Sequence, residues 1–376
     1  MAELYKGTLE CEMMWVLITK FLIMKRFTIL NAIFFLAMGV NANTPAYKLI
    51  KRLRTLEKVG IMIGHQDDPV YGRNWKWDVG KSDVLSVTGD YPAVIGFDLG
   101  EIELGHTKNL DKVSFDRMRN EIIAQYKRGG IITLSWHPHN PVTGKSAWDT
   151  TGKAVKEIFP EGSMYSKFDS WLKIVAEFIN SLKTKDGIKI PVIFRPWHEM
   201  SGGWFWWGKG GCTPDEYKRL YMLTHDKLEK EYQCDNIVWA FSPNSGYSDF
   251  MNYYPGNSYV DVLGVDLYEF DKDNAKYQQS LKHDLDEITQ IAKKEKKIVA
   301  LTETGCQQLP YADWFTNTLW TVLKNYKLSY VLFWRNAWDN EKELYISYPG
   351  HSTETDFKKF YDIKQTLFVK DINKNK

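Results

Sequence analysis

Eight short apolar runs, separated by segments of helical periodicity, constrain the fold of this chain most. The runs are rich in β-branched and aromatic residues. Their nearly continuous apolar character is typical of strands that are buried on both faces of a parallel sheet. The runs cover residues 61–66, 91–99, 131–138, 192–199, 236–243, 260–268, 297–305 and 330–337.

Segments with helical patterns lie between these runs. Residues 114–130 place an acidic residue in the first turns, apolar residues at helical spacing, and a pair of glycines at the end. In residues 213–232, Thr213 is a suitable N-cap and Pro214 occupies the first helical position. The other predicted helices cover residues 167–183, 284–297 and 314–326.

The alternation of eight strands with helices over about 300 residues predicts an α/β protein, a (β/α)8 TIM barrel. A doubly wound open sheet is the competing interpretation. The sequence has no GxGxxG motif and no phosphate-binding loop after the first run, which disfavours that alternative. No repeat or linker divides the chain, and we expect residues 43–376 to form a single domain.

The segment MKRFTILNAIFFLAMGVNANTPA, which starts at Met24, has the organisation of a secretory signal peptide. A basic pair is followed by an apolar stretch over residues 27–40, and small residues allow cleavage after Ala42. We therefore interpret residues 24–42 as a signal peptide and residues 1–23 as a non-native or misannotated extension. An uncleaved anchor is the alternative. The prediction is export to a periplasm or to the medium.

The charge balance argues against two classes of partner. The chain has 49 basic and 47 acidic side chains and a formal net charge of +2, so neither nucleic acid nor an anionic membrane is expected to bind it. The 15 tryptophans and 21 tyrosines indicate either a large aromatic core or a surface that stacks against flat, hydroxyl-rich ligands. Composition alone does not decide between these.

Three cysteines remain after the predicted cleavage site, namely Cys212, Cys234 and Cys306. Cys212 and Cys234 could pair in an oxidising compartment, but their spacing does not decide this. The cysteine and histidine spacings do not match a zinc site.

Polar and ionisable residues follow six of the eight apolar runs. Active sites of (β/α)8 barrels form at the carboxyl ends of the strands, so these residues are expected to meet at one rim. The six endings are His65-Gln66-Asp67-Asp68, Trp136-His137-Pro138-His139, Trp197-His198-Glu199, Asp266-Leu267-Tyr268, Thr302-Glu303 and Trp334-Arg335-Asn336.

Two of these rim residues, Glu199 and Glu303, form the pair of carboxyl groups that glycoside hydrolysis needs. One carboxyl group must be protonated to donate to the leaving oxygen, and the other must be ionised to act at the oxocarbenium-like carbon. Burial and like-charge repulsion separate the two pKa values, so both forms can coexist near neutral pH. Either glutamate alone could be a buried ion-pair partner, but their joint position favours catalysis.

Four motifs resemble those of glycoside hydrolase family 26, whose typical members are β-1,4-mannanases. The motifs are RPWHEMSGGWFWWG (195–208), GVDLY (264–268), LTETG (301–305) and LFWRN (332–336). The resemblance extends from GHQDD to FWRN, over most of the mature chain. It implies a (β/α)8 catalytic domain with catalytic glutamates on strands four and seven. No cofactor is expected, because acid/base and nucleophilic carboxyl groups suffice for the reaction.

The resemblance also implies roles for residues around the reacting carbon. Glu199 matches the proton donor and general acid/base, and Glu303 matches the nucleophile of a retaining mechanism. His198 matches a histidine that positions the nucleophile, Tyr268 a tyrosine near the same carboxylate, and Asp266 an aspartate that supports the acid/base.

Further residues match groups that surround the substrate in the family. Arg195 and His137 correspond to polar groups of the site floor, and Trp204 to an aromatic that flanks the cleavage point. Trp334 and Arg335 correspond to residues that contact sugars on the glycone side. The family block departs from the common pattern at Trp197, Ser201 and Gly203.

Tryptophan density suits pyranose rings, whose C–H faces pack against indoles. Of Trp204, Trp206 and Trp207, we expect one or two to line the cleft and the rest to pack beneath it. The substrate implied is mannan, galactomannan or glucomannan. Residues 66–84, rich in turn and aromatic residues, could wall one end of the cleft, which would favour an exo-acting enzyme that releases mannobiose.

Two alternatives of other classes remain. A metal-dependent hydrolase would use His137 and His139 together with rim residues His65, Asp67, Asp68 and His198, although the HExxH spacing is lacking. A non-catalytic carbohydrate-binding protein on the same barrel would keep the aromatic residues but could lose a glutamate. We expect no stable membrane association after signal cleavage, and the sequence does not indicate an oligomeric state.

Overall fold

The fold is taken from a computed structural model that describes residues 43–374. The predicted signal peptide and the residues before it lie outside the described residues. None of the helices within the described range combines the length and the apolar content that a membrane-spanning helix needs.

Eight parallel strands form a closed barrel. Each strand pairs with the next in chain order, and the last pairs with the first, which closes the sheet. The predicted (β/α)8 fold is confirmed, and every predicted run overlaps its strand. The strands are β1 Ile61–Gln66, β2 Val94–Asp98, β3 Ile131–Trp136, β4 Val192–Pro196, β5 Ile237–Phe241, β6 Val262–Glu269, β7 Ile298–Cys306 and β8 Tyr330–Phe333.

Helices lie between the strands, and all five predicted helices are present. Thr213 forms a capping box with Glu216, as its position predicts. The helix Asn274–Glu295 begins well before residue 284, because the side chain of Asp273 caps its first turn. The α-helices are Pro45–Leu56, Asp83–Thr88, Phe115–Lys127, Ala154–Glu157, Tyr165–Ser181, Pro214–Asp226, Asn274–Glu295, Thr321–Leu323, Glu354–Tyr361 and Val369–Asn373, with π-helical turns at Lys227–Glu231 and Trp314–Trp320.

Short elements complete the architecture. A two-residue strand, Thr366–Leu367, pairs with β1 outside the barrel closure. A small hairpin joins Tyr71–Gly72 to Trp75–Lys76. Single 3-10 turns occur at Ile102–Leu104, Phe250–Tyr253 and Asn257–Tyr259.

Apolar side chains fill the barrel and close its amino-terminal end. One buried cluster includes Met62, Val94 and Leu332 of the strands and also Leu49 and Leu53 of the helix Pro45–Leu56. A second cluster packs the outer faces of the strands against the surrounding helices. Because both faces of each strand are buried, the strands read as continuous apolar runs. The ionisable residues that the sequence analysis singled out lie at the carboxyl ends of the strands.

The three cysteines of the described chain, Cys212, Cys234 and Cys306, are free thiols. The possible pairing of Cys212 with Cys234 is therefore not formed in this structure.

Candidate active site

Three carboxyl groups meet at the carboxyl ends of β4, β6 and β7. Glu199 follows β4, Asp266 lies in β6 and Glu303 lies in β7. One carboxyl oxygen from each lies within 4.8 Å of the others. Asp266 and Glu303 are buried, whereas Glu199 is partly exposed. The barrel thus brings together the two glutamates that the sequence predicted to face each other.

Arg195 of β4 supplies positive charge between two of these carboxylates. Its Nη1 donates to Asp266 Oδ2 at 2.7 Å, and its Nη2 donates to Glu303 Oε1. The side chain is 1% exposed. Burial alone would lower the pKa of Arg195, but the carboxylates of Asp266 and Glu303 outweigh burial and raise it. The guanidinium is therefore a permanent cation beneath Glu303.

The acidic group also bears on the metal-site alternative. Within residues 43–374, Glu199, Asp266 and Glu303 are the group whose ligand atoms approach closely enough for a metal ion, and Arg195 already bonds two of them. The histidines proposed for a metal site instead form hydrogen bonds to different residues. His65 Nδ1 contacts Asp68 Oδ1 at 2.7 Å, and His139 Nδ1 contacts the Gly144 carbonyl at 3.1 Å. The predicted histidine set does not converge on one point.

Glu199 sits in surroundings that favour its protonated form. Burial, then the negative charges of Glu303 and Asp266, raise the pKa of Glu199 well above its usual range. The indole of Trp204 donates to Glu199 Oε2 at 2.8 Å, which opposes this shift. The backbone N–H of Glu199 donates to the Ser242 carbonyl at 2.7 Å, and its φ of +54° is an uncommon value for a non-glycine residue. The hydrogen bonds to Trp204 and to the Ser242 carbonyl therefore hold Glu199 in place at the rim.

Glu303 has donors on both oxygens. Tyr268 Oη donates to Oε2 at 2.7 Å, opposite the Arg195 bond to Oε1. Burial and the neighbouring Glu303 raise the pKa of Tyr268 well above its usual value, so the phenol remains a donor. These bonds favour a carboxylate in a single orientation.

Asp266 lies one layer deeper than the glutamates. Its Oδ1 accepts from Ser242 Oγ at 2.8 Å and Thr302 Oγ1 at 2.7 Å, and its Oδ2 accepts from Arg195. Burial raises the pKa of Asp266 to about 7, with Arg195 opposing and Glu303 reinforcing the shift. The hydrogen bond from Arg195 to Asp266 fixes the position of the guanidinium. Asp266 affects Glu199 through its negative charge, which raises the pKa of Glu199.

Two histidines line the floor and contact each other. His137 and His198 approach Nε2 to Nε2 at 3.0 Å, and His137 Nδ1 contacts Asp98 Oδ2 at 2.6 Å. The resemblance implied that His198 positions the nucleophile. In the described hydrogen bonds its ring is instead joined to His137, and its carbonyl accepts from Trp207 Nε1 at 2.8 Å.

The tryptophan-rich block is mainly a packing scaffold. Trp197, Trp206 and Trp207 are at most 1% exposed, and each indole N–H has a partner. Trp204 alone of the four lines the cavity. A Cβ at Gly202 would lie 2.3 Å from the Trp204 ring, so glycine is needed where the indole crosses the backbone. The prediction that one or two of these tryptophans line the cleft is confirmed.

The carboxyl groups open into a cavity of about 750 Å³. Two exposed aromatic residues that the sequence analysis missed stand on its walls. Trp148 stacks on His137 at 5.3 Å and 11°, and Phe270 stacks on Tyr268 at 5.3 Å and 20°. Phe270 could have been found, because it lies two residues beyond Tyr268. Other missed lining residues are Phe205, Asn244, Gln307, Asn340, Lys342, Glu343 and Tyr345.

The segment 334–345 forms one wall of this cavity. Trp334, for which the resemblance implied a contact with sugar, lines this cavity, whereas Arg335 lies beneath the wall. Arg335 contacts Asp111 at 2.6 Å and Glu343 at 2.5 Å. In the described structure, therefore, the side chain of Arg335 fixes the wall and is not among the residues lining the cavity.

The loop 66–84 packs against the segment 334–345. Asn336 Nδ2 donates to Asp83 Oδ2 at 2.8 Å, and Lys76 lies 3.9 Å over the ring of Trp338. The expectation that this loop itself walls the cleft is not met by the described cavity, whose lining comes from the segment 334–345. One aromatic residue of the loop, Trp77, also packs edge-on against Trp338 of that segment.

Comparison with known proteins identifies relatives of the whole barrel. The family model described as glycosyl hydrolase family 26 matches residues 38–351. A mannan endo-1,4-beta-mannosidase of Bifidobacterium adolescentis is 32% identical over 354 residues, covering 88% of this chain and 35% of its own length. One of Bacillus subtilis is 28% identical, covering 68% of this chain and 69% of its own. The chain thus spans about a third of the first relative's length.

A solved structure has the same architecture. The family 26 beta-mannanase of Bacteroides ovatus is 46% identical and superposes with a TM-score of 0.85, covering 87% of this chain and 95% of that one. The likeness therefore extends over the barrel and its rim together.

Proposed function

This chain belongs to glycosyl hydrolase family 26, and from that premise we propose that it is a retaining β-1,4-mannanase acting on mannan, galactomannan or glucomannan. The observation that carries the proposal is the approach of carboxyl oxygens of Glu199 and Glu303 to within 4.8 Å. Retaining enzymes hold the two carboxyl groups ~5–5.5 Å apart, whereas inverting enzymes leave ~6.5–9.5 Å for a water molecule. The short separation favours retention.

In the first step, the Glu303 carboxylate attacks the anomeric carbon and the glycosidic C–O bond breaks. Glu199 gives its proton to the departing oxygen, so the leaving sugar exits as a neutral alcohol. Arg195 and Tyr268 donate hydrogen bonds to Glu303 and hold it in one orientation. In the second step, water attacks the glycosyl ester, Glu199 takes the proton, and Glu303 is released as carboxylate.

Electrostatics account for the change in the role of Glu199 between the steps. Burial and the charge of Glu303 keep Glu199 protonated before the first step. Esterification removes that charge, so the pKa of Glu199 falls and the carboxylate becomes a base. One residue thereby serves as acid and then as base.

The substrate class is supported by the relatives and by the cavity. Both curated relatives cited above are named mannan endo-1,4-beta-mannosidases. Trp148, Trp204 and Phe270 offer aromatic faces to successive pyranose rings. We propose endo action. A mannobiose-releasing exo enzyme is the alternative, and early digestion products broader than a disaccharide would rule it out.

The direct test is the release of reducing sugar from mannan. Wild type is expected to be active, Glu303→Ala to lose activity by several orders of magnitude, and the control Glu231→Ala, at an exposed position outside the cavity, to remain active. A non-catalytic carbohydrate-binding protein would bind mannan without releasing sugar. Wild-type activity in Glu303→Ala would overturn the mechanism.

We also propose that the enzyme is exported, on the strength of the segment beginning at Met24. Amino-terminal sequencing of the exported protein is expected to give Asn43 as the first residue. A mature chain that begins well before Asn43 would refute the cleavage.

A further inference from the structure

Asp98, at the end of β2, is a buried carboxylate that the proposed mechanism does not use. The residue is fully buried, and four hydrogen bonds reach its two oxygens. Oδ1 accepts from the backbone N–H of Gly100 at 2.7 Å and of His137 at 3.3 Å. Oδ2 contacts Ser135 Oγ and His137 Nδ1, each at 2.6 Å. Such a set of donors fixes both the charge and the orientation of a carboxylate.

The backbone is shaped around this carboxylate. A Cβ on Gly100 would lie 2.9 Å from Asp98 Oδ1 and 2.5 Å from the side chain of Leu110. Glycine therefore allows the N–H of residue 100 to turn inward onto Asp98. Asp98 lies next to β3 in register, which brings Ser135 opposite it.

A chain of hydrogen bonds runs from Asp98 through His137 to His198 at the cavity floor. Because Asp98 is an acceptor, His137 donates through Nδ1, and the Nε2 atoms of His137 and His198 then share one proton at 3.0 Å. His198 is also buried, next to Arg195, and a second imidazolium there would be repelled by that cation. The arrangement in which His137 carries both protons and His198 accepts at Nε2 is compatible with the contacts to Asp98 and between the two rings. It leaves the remaining proton of His198 on Nδ1, a buried atom that has no hydrogen-bond partner among the described residues.

We propose that Asp98 is a positioning residue that holds His137 as an imidazolium donating to His198, and that this pair places a second fixed positive charge at the floor of the active site. The charged groups that face His137 are Asp98 on β2, Asp111 after it, Arg195 on β4 and Glu303 on β7. The imidazolium adds to Arg195 in balancing Glu303. Trp148 stacks on the same ring and covers it from solvent.

The pKa directions agree with this geometry. Burial alone would lower the pKa of His137, but Asp98 outweighs burial and raises it. Burial, Arg195 and His137 lower the pKa of His198 well below its usual value. The two directions are opposite, so they favour the charged form of His137 and the neutral form of His198, and neither ring is assigned the role of proton carrier that Glu199 has. This consequence rests on the proposed glycosidase function, whereas the charge state of the two rings does not.

The charge state is measured by nitrogen NMR of the full chain with selectively labelled histidine. The chain has eight histidines, and loss of signals in His137→Gln and His198→Gln assigns the two rings. Between pH 6 and 8 we expect His137 to show two protonated nitrogens and His198 to show one, on Nδ1. A neutral His137 at pH 7 in wild type would overturn the proposal, whether or not the protein cleaves mannan.

Kinetics test what the charge does. Asp98→Asn is expected to lower kcat on manno-oligosaccharides about 10- to 100-fold with little change in KM, because a hydrogen bond between two charged groups is lost at the floor of the site. Asp116→Asn, on an exposed carboxylate, should change neither.

A double-mutant cycle separates this role from general damage to the fold. In a His137→Gln background, Asp98→Asn should lower kcat by less than about twofold, because both changes remove the same charge. Full additivity would contradict the proposal. If Asp98→Asn does not fold, Ser135→Ala removes one of the bonds to Asp98 and should show the same changes in smaller measure. A cationic His137 in a protein inactive on every mannan would defeat the proposed function alone.

Discussion

Trp204 donates its indole N–H to Oε2 of Glu199 at 2.8 Å. Trp204 thus has two functions, since its ring lines the cavity while its nitrogen holds the proposed acid. The other oxygen of Glu199 is left to carry the proton toward the substrate.

Replacing Trp204 with phenylalanine should shift the pH dependence. The indole bond stabilises the carboxylate form, so its loss raises the pKa of Glu199 further. A hydrogen bond to a charged group contributes about 1.5–3 kcal/mol, which corresponds to a shift of about 1 unit or more. Because the first step needs the protonated acid, the basic limb of the kcat/KM profile should move to higher pH. Trp148→Phe, which alters a wall without touching Glu199, should leave that limb in place.

Coupling between the glutamates can be measured directly. Glu303→Gln removes a negative charge that raises the pKa of Glu199, so that pKa should fall by about 1 unit or more. Carbon NMR of labelled glutamate, assigned with Glu199→Gln, follows this titration. Asp313→Asn, at an exposed position outside the site, is the matched control. An unchanged titration of Glu199 would mean that the two carboxyl groups do not sense each other.

Substitutions of two tryptophans of the tryptophan-rich block should differ in their effect on the free energy of unfolding. Trp206 is 1% exposed and packs on Trp197 and Trp207, so Trp206→Ala should lower the free energy of unfolding by about 3–5 kcal/mol. Trp204→Ala, which empties part of the cavity wall, should cost about 1 kcal/mol or less while abolishing most activity. Denaturant midpoints and reducing-sugar assays on both variants separate the two roles. Equal destabilisation would contradict the division.

The barrel could be predicted because its signals are local. Strands buried on both faces produce apolar runs, and each run stops where polar rim residues begin. The start of the helix at Asn274 was missed, because its first turns carry few apolar residues and depend on the cap at Asp273. The π-helical turns at Lys227–Glu231 and Trp314–Trp320 have no clear pattern in the sequence.

The site residues could be predicted where ionisable side chains lie at the ends of strands. They could not be predicted where the conformation of a loop determines which side chain reaches the cavity. Glu199, Asp266 and Glu303 follow from position along their strands. Trp148 lies in a long loop, and only the folded chain brings it onto His137. Arg335 follows a strand as a sugar contact would, but ion pairs with Asp111, which is distant in sequence, and with Glu343 hold its side chain under the wall.

The account depends most on Glu303 forming a covalent bond to the sugar while Glu199 supplies the proton. The most direct measurement is to incubate the enzyme with a 2-deoxy-2-fluoro-mannobioside that carries a dinitrophenolate leaving group, and then to digest it and identify the labelled peptide by mass spectrometry. The fluorine slows both steps, and the activated leaving group departs without a proton, so the ester accumulates. The account predicts one added glycosyl group, on Glu303. Labelling of another residue, or no adduct together with an inverted product, would contradict it.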